Sequence, residues 1–192
     1  AVVNAISGTS EDDVIEFDIN SVGGRLDGLI ALLTALERTE AISCANINGE
    51  CHSAASMLAL SCDSLTVSPY ASMLCHFVSY GASGKATDVK SHVNHIHDTC
   101  ENLFRSVYQH FLTEDEIEKC IGGYELWLNA AEIAERLDAK YKYLNKLEEI
   151  KQLEQEKAEL EEKQSDIPHL CLDDECLHVD EVVSKIKPKK AK

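Results

Sequence analysis

Through the first eighty residues, short apolar runs of strand length alternate with segments of helical period, and few folds accept that order. Val14-Ile15-Glu16-Phe17-Asp18-Ile19 alternates like a half-buried strand and ends at Asn20-Ser21-Val22-Gly23-Gly24. Leu26, Leu29, Ile30, Leu33 and Leu36 then recur at helical spacing, followed by the strand-like Ile42-Ser43-Cys44-Ala45-Asn46-Ile47. A second helix is expected from near Ser53, a third strand over Ser64-Leu65-Thr66-Val67 and a fourth over Met73-Leu74-Cys75-His76. Strand, helix, strand, helix, strand predicts an α/β fold with a parallel sheet covered by helices.

Beyond residue 80 the character changes. Gly81-Ala82-Ser83-Gly84 reads as a loop, with Ser83 or Thr87 as cap of a helix of roughly 25 residues carrying Val89, Val93, Ile96, Leu103, Phe104, Val107 and Phe111. Gly122-Gly123 breaks a short helix, and another is expected to start at Trp127-Leu128-Asn129-Ala130-Ala131-Glu132. Residues 140–164 hold seven Glu and six Lys, many at helical i,i+3 or i,i+4 spacing. Tyr143, Ile150, Leu153 and Leu160 follow a coiled-coil register that Lys146, Lys157 and Gln164 interrupt, so a solvated helix competes with a short coiled coil. The organisation expected is a domain over 1–137, a charged helix over 138–164 and a tail over 165–192.

In that tail His169, Cys171, Cys176 and His178 fall within ten residues. Their spacing matches no common zinc finger and offers no Gly for a knuckle turn, so a small helix using Leu170, Leu172 and Leu177 is expected instead. No metal and no cofactor is expected.

Composition removes several function classes. Eighteen basic against thirty-four acidic residues give a net charge of −16, the wrong sign for a nucleic-acid binder. Five Lys in the last eight residues make a small basic tail on an acidic body, expected to be solvated. No apolar run reaches the roughly 18 residues of a membrane span. The opening residues hold no basic leader, and Ala1 in place of Met fits a trimmed chain. Eight scattered cysteines read as small buried hydrophobes in a reducing compartment, so a cytoplasmic protein is expected.

Three elements have the order and spacing of a serine hydrolase. Gly23-Gly24 follows a strand, where bare backbone N–H groups can face a ligand. Ser56, in His52-Ser53-Ala54-Ala55-Ser56-Met57, is expected at a strand-to-helix turn, with Ser53 as the alternative N-cap reading of the same segment. His76 ends a strand twenty residues later, within reach for a general base if the strands are neighbours.

These residues also carry a family resemblance. Ile19-Asn20-Ser21-Val22-Gly23-Gly24 resembles the Asn-Ser-Pro-Gly-Gly segment of the Clp protease proteolytic subunit. Ser53-Ala54-Ala55-Ser56-Met57 resembles its nucleophile segment, Met73-Leu74-Cys75-His76 its histidine strand, and Gly84-Lys85-Ala86-Thr87-Asp88 the start of its handle helix. The short gap from Ser56 to His76, and Glu125-Leu126-Trp127-Leu128-Asn129-Ala130-Ala131-Glu132, are similar to the phage branch, the Clp-like head maturation proteases. Over residues 1–137 the resemblance implies a Clp/crotonase-like fold of stacked ββα units with a long handle helix, here without one N-terminal strand.

It further implies a serine endopeptidase with Ser56 as nucleophile and His76 as base, and an oxyanion hole from Met57 and Gly23 or Gly24. Protein substrates, specifically scaffold and capsid polypeptides, and a homo-oligomeric ring follow from the same resemblance, with the host cytoplasm or assembling virion as location. The sequence departs from the family at Val22 in place of Pro, and at Phe77-Val78 after the histidine. The family's catalytic Asp falls at Cys120 or Ile121, leaving Glu125 and Glu118 as the nearest carboxylates, of which Glu125 matches the phage pattern. That gap keeps an inactive assembly or scaffold protein open as an alternative, and a crotonase-type acyl-CoA enzyme shares the fold.

Overall fold

The computed structural model describes residues 1–81 and 83–165, with side chains described as far as 160. The four candidate zinc ligands, the basic end and Ala82 lie outside the described residues. The elements run α1 (Val2–Ile6), β1 (Val14–Ser21), α2 (Leu26–Leu36), β2 (Ile42–His52), α3 (Ala54–Leu60), β3 (Ser64–Val67), β4 (Ser72–Cys75), α4 (Ala86–Tyr108), α5 (Glu114–Ile121), β5 (Leu126–Asn129) and α6 (Ala130–Ser165). This is the expected α/β alternation through β4.

The sheet has five strands in the order β1-β2-β4-β5, with β3 also pairing β2. β2 serves three partners because it is long. Ile42 to Ile47 and, past a register shift, Cys51 pair β1 in parallel, Cys44 to Ile47 pair β3, and Glu50 to His52 pair β4. Asn48-Gly49 does not end it as a turn would. Instead the Asn20 Oδ1 accepts the Glu50 N–H at 3.0 Å, and a Cβ on Gly49 would stand 2.6 Å from that oxygen, so the glycine admits the bridge. The inner face buries Ala45, Ile47, Cys51, Met73 and Cys75 against α3 and against Phe104 and Tyr108 of α4. The outer face stays polar: Asn46 and Asn48 donate to Asp18, and Thr66 donates to Asn46. One wet face is uncommon for a parallel sheet and explains the clean alternation in β1.

Two local expectations are corrected. Leu126–Asn129 is a strand, not the start of a helix, because it closes the sheet antiparallel to β4. The helix begins one residue later, where the Asn129 Oδ1 accepts the N–H groups of Ala131 and Glu132 while the Glu132 carboxylate accepts the Asn129 N–H. Neither Ser83 nor Thr87 caps α4; its N-cap is Lys85 with no side-chain bond. Trp127 is 55% exposed.

The chain divides into two compact units, Ala1–Asn145 and Lys146–Lys192. In the first, α6 buries Ile133 and Leu137, and the Lys140 ammonium donates to the Leu60 carbonyl at 3.1 Å. In the second, the described part of α6 exposes Ile150, Leu153 and Leu160 among its charges. Among the described residues no helix is long and apolar enough to cross a membrane, and six cysteines are free, four of them buried.

α5 is secured by its first turn. Thr113 and Glu116 form a capping box, and Arg136 of α6 grips the Glu116 carboxylate with both terminal nitrogens, at 2.9 and 2.6 Å. The Arg136 guanidinium, helped by Thr113, holds the Glu116 carboxyl down at about 2. Glu116→Gln should cost about 1–2 kcal/mol near neutral pH, the scale of a lost cap with a charged partner. Because the folded carboxyl lies below its ordinary 4.5, this contribution is complete above that value and disappears as pH falls toward about 2. Urea unfolding of parent and variant across that range should show the difference closing; a difference independent of pH would remove the charge from the account.

Candidate active site

The path from β2 into α3 turns on one residue. Pairing with β4 continues to His52 opposite Leu74, and the Ser53 N–H still donates to the Leu74 carbonyl at 2.9 Å. The Ser53 carbonyl already serves α3, accepting the N–H groups of Ser56 at 3.0 Å and Met57 at 3.3 Å. With its N–H held by the sheet and its C=O held by the helix, Ser53 adopts φ 57° and ψ −125°. A non-glycine residue in that region is strained, and such strain concentrates at functional sites. The Ser53 side chain is half-buried and makes no cap bond to the helix, although Ser53 occupies the N-cap position.

Gly23 stands directly against this elbow. Its φ is +95°, and a Cβ there would lie 2.5 Å from the His52 carbonyl oxygen, 2.8 Å from the Ser53 Cβ and 3.1 Å from the Ala54 nitrogen. Only a glycine brings the loop so close. The Gly23 N–H donates to the Ser21 Oγ at 3.1 Å, while a Cβ on Gly24 would meet nothing within 4 Å. The N–H groups of Ala54 and Ala55 open α3 and have no partner within the helix. A groove of about 450 Å³ runs past Gly23, Gly24 and Ala54, walled by Phe17, Leu29 and Leu58.

Ser56, the expected nucleophile, is not at this surface. It is fully buried one turn inside α3, with its hydroxyl 2.7 Å from the Ser53 carbonyl, 3.2 Å from the Leu74 carbonyl and 2.6 Å from the Tyr108 hydroxyl. The Met57 N–H is likewise spent on the Ser53 carbonyl, so it is not free for an oxyanion. Residue 53 sits where the strand stops; residue 56 faces back under the sheet. The signal was present in the sequence, since Ser53 is the first residue after the last β2 pair, but it required knowing that β2 reaches His52.

His76 follows the last residue of β4 and is half-buried, two residues beyond the Leu74 carbonyl that holds Ser53. The β4–β5 register ends with Cys75 opposite Leu126, so the next pair in line is His76 and Glu125. Glu125 is exposed, and among the described residues its carboxylate has no hydrogen bond or ion pair. Glu118 is unavailable as an alternative, because the Arg105 guanidinium holds it at 2.6 Å. Cys120 is fully buried with its thiol toward the Cys75 carbonyl at 3.6 Å. The neighbouring His52 points away into a separate pair, its Nε2 3.0 Å from the Ser72 Oγ and its ring edge-on to Trp127. Among the described residues no group of three or more His, Cys, Asp or Glu could hold a metal.

The two glycines should respond differently to the same change. Gly23→Ala forces a Cβ onto backbone atoms at positive φ and should cost about 2 kcal/mol as well as distort the elbow. Gly24→Ala should stay within about 0.5 kcal/mol, since nothing crowds it. Denaturant midpoints of the two variants compare directly; equal losses would mean that Gly23 is not a packing constraint.

No curated protein is significantly similar to the chain. The family model described as Clp protease matches residues 3–136. That match begins in α1 and ends in the second turn of α6, so it takes in every element assembled around Ser53, and the chain belongs to the Clp protease family.

Proposed function

We propose that the chain is a serine endopeptidase in which Ser53 is the nucleophile, His76 the general base and Glu125 the group that orients the imidazole. The observation that carries the reading is the strained Ser53 elbow, with Gly23 pressed against it and its hydroxyl not spent on capping. His76 takes the Ser53 proton as Oγ attacks a peptide carbonyl. The tetrahedral oxyanion is held by the backbone N–H groups of Ala54 and Gly24, since the Gly23 N–H is already given to the Ser21 Oγ. His76 returns the proton to the departing amine, and water then releases the acyl group from Ser53. Glu125 is supported by the register that lines it up with His76. The groove beside the elbow, lined by Phe17, Leu29 and Leu58 together with Glu16, Asp18 and Arg25, would take a substrate side chain that is both apolar and polar.

The finer reading is a phage head maturation protease acting on scaffold and capsid polypeptides in the host cytoplasm. It rests on the Glu125–Glu132 pattern and the resemblance to the phage branch. A homo-oligomeric ring would use the first half of α4, where Val89, Val93 and Ile96 are only partly covered.

A fluorophosphonate probe with mass-spectrometric localisation, paired with casein cleavage, tests the core of this. The parent should carry label on Ser53. Ser53→Ala should lose the label and at least about a thousandfold in cleavage, with an unchanged melting temperature. Label and cleavage surviving in Ser53→Ala would reject the nucleophile; a parent with neither would favour the inactive scaffold reading, which the buried Cys120 motivates.

For the third group, Glu125→Gln should lower kcat by at least about tenfold with KM nearly unchanged, because the interaction strengthens as imidazolium charge develops. A change of twofold or less would leave Glu125 as a surface residue.

A further inference from the structure

We propose that Ser56 and Tyr108 form a buried hydroxyl clamp that positions Ser53, a role that rests on reading Ser53 as the nucleophile. The two hydroxyls meet at 2.6 Å, and both residues are fully buried. One serine proton can be donated once, so Ser56 donates to the Ser53 carbonyl at 2.7 Å or to the Leu74 carbonyl at 3.2 Å, while Tyr108 donates to the Ser56 Oγ. Burial pushes the Tyr108 phenol well above its ordinary value of 10, which keeps that proton in place.

Both carbonyls matter to the site. One belongs to the elbow residue itself. The other belongs to β4 two residues before His76, and it also holds the Ser53 N–H. The Ser56 hydroxyl therefore ties the nucleophile's own peptide group to the strand that carries the base. Rotation of the Ser53 peptide out of its strained state would break the Ser56 Oγ contact together with the two helical bonds to the same oxygen.

Stability alone gives little reason for the pair. Its surroundings are apolar apart from the Cys75 thiol beside the Tyr108 hydroxyl, with Met73 and Phe104 buried in the same core cluster, and both carbonyls already have backbone partners. An Ala and a Phe would fill the same space without burying two hydroxyls. What the hydroxyls add is direction, because hydrogen bonds hold the elbow at a defined angle where packing would not.

The test uses the parent, Ser56→Ala, Tyr108→Phe and the double variant. For each, the rate of fluorophosphonate labelling at Ser53, kcat and KM on a casein peptide, and the melting temperature are measured. Ser56→Ala should slow labelling and lower kcat about tenfold with KM within twofold, since small displacements at a reacting group are costly. It should also lower the melting temperature, because the buried Tyr108 hydroxyl is left with only the Cys75 thiol beside it, a weak partner. The double variant separates the roles: with both hydroxyls gone the melting temperature should return toward the parent, while labelling stays slow. Recovery of the labelling rate along with stability would overturn the clamp and leave the pair as packing. Should Ser56→Ala fail to fold, Tyr108→Phe removes a single oxygen and decides the matter. Labelling slowed about threefold or more supports the clamp, and an unchanged rate overturns it. A parent labelled elsewhere than Ser53, or not labelled, overturns the nucleophile assignment and the clamp with it.

Discussion

The hydrogen bond from the Ser53 N–H to the Leu74 carbonyl is the point on which the rest of the site depends. It is the last bond between β2 and β4, and it holds Ser53 in the sheet for one residue more than the strand itself. The Ser53 carbonyl already belongs to α3, so the change from extended to helical backbone is compressed into a single residue. A positive φ at a serine is the outcome. Without β4 beside it, β2 could pass into α3 through several relaxed residues, and no side chain would be presented at a fixed angle.

Close approach then does what side chains cannot. Gly23 lies in contact with His52, Ser53 and Ala54 because it has no Cβ, and this brings a loop of backbone N–H groups to the start of α3. Beneath the elbow the core is small-residue and sulfur-rich: Ala45, Cys51, Ala55, Ala59 and Cys75 let α3 lie close under the sheet. Burial pushes the Cys51 thiol up to about 12 and the Cys75 thiol higher still, so these are inert packing groups despite their nearness to the site. Ser56 and Tyr108 bring a pair of hydroxyls into this interior.

The charged residues stabilise the frame that carries Glu125. Arg105 of α4 holds Glu101, Glu114 and Glu118, and Arg136 of α6 holds Glu116, so α5 is tied by its charges to the helices before and after it. Exposed pairs of this kind are individually weak. Arg136 is the stronger case, since its partner also caps α5 and is mostly covered. Fixing α5 fixes the Gly122-Gly123 turn and hence the start of β5, and through the β4–β5 register the position of Glu125 relative to His76.

Local period was enough to read β1, α2, β3 and the length of α4, because one apolar face per element leaves an unambiguous pattern of 2.0 or 3.6 residues. Gly23 and His76 were legible too, as a glycine after a strand and a histidine at the end of one. What period does not encode is where an element stops. β2 reads as ending near Ile47, yet it reaches His52 because β1 and β4 pair with it there. Trp127 to Asn129 read as the start of a helix and belong to a strand, because β4 offers them an open edge. The same blindness passed over Ser53 at the elbow and singled out Ser56, which is buried one turn inside α3. By itself the sequence determined the fold class, the family and the residue types at the site. Tertiary pairing decided which serine stands at the elbow and which is buried beneath it, since strand ends are set by partners distant in the chain.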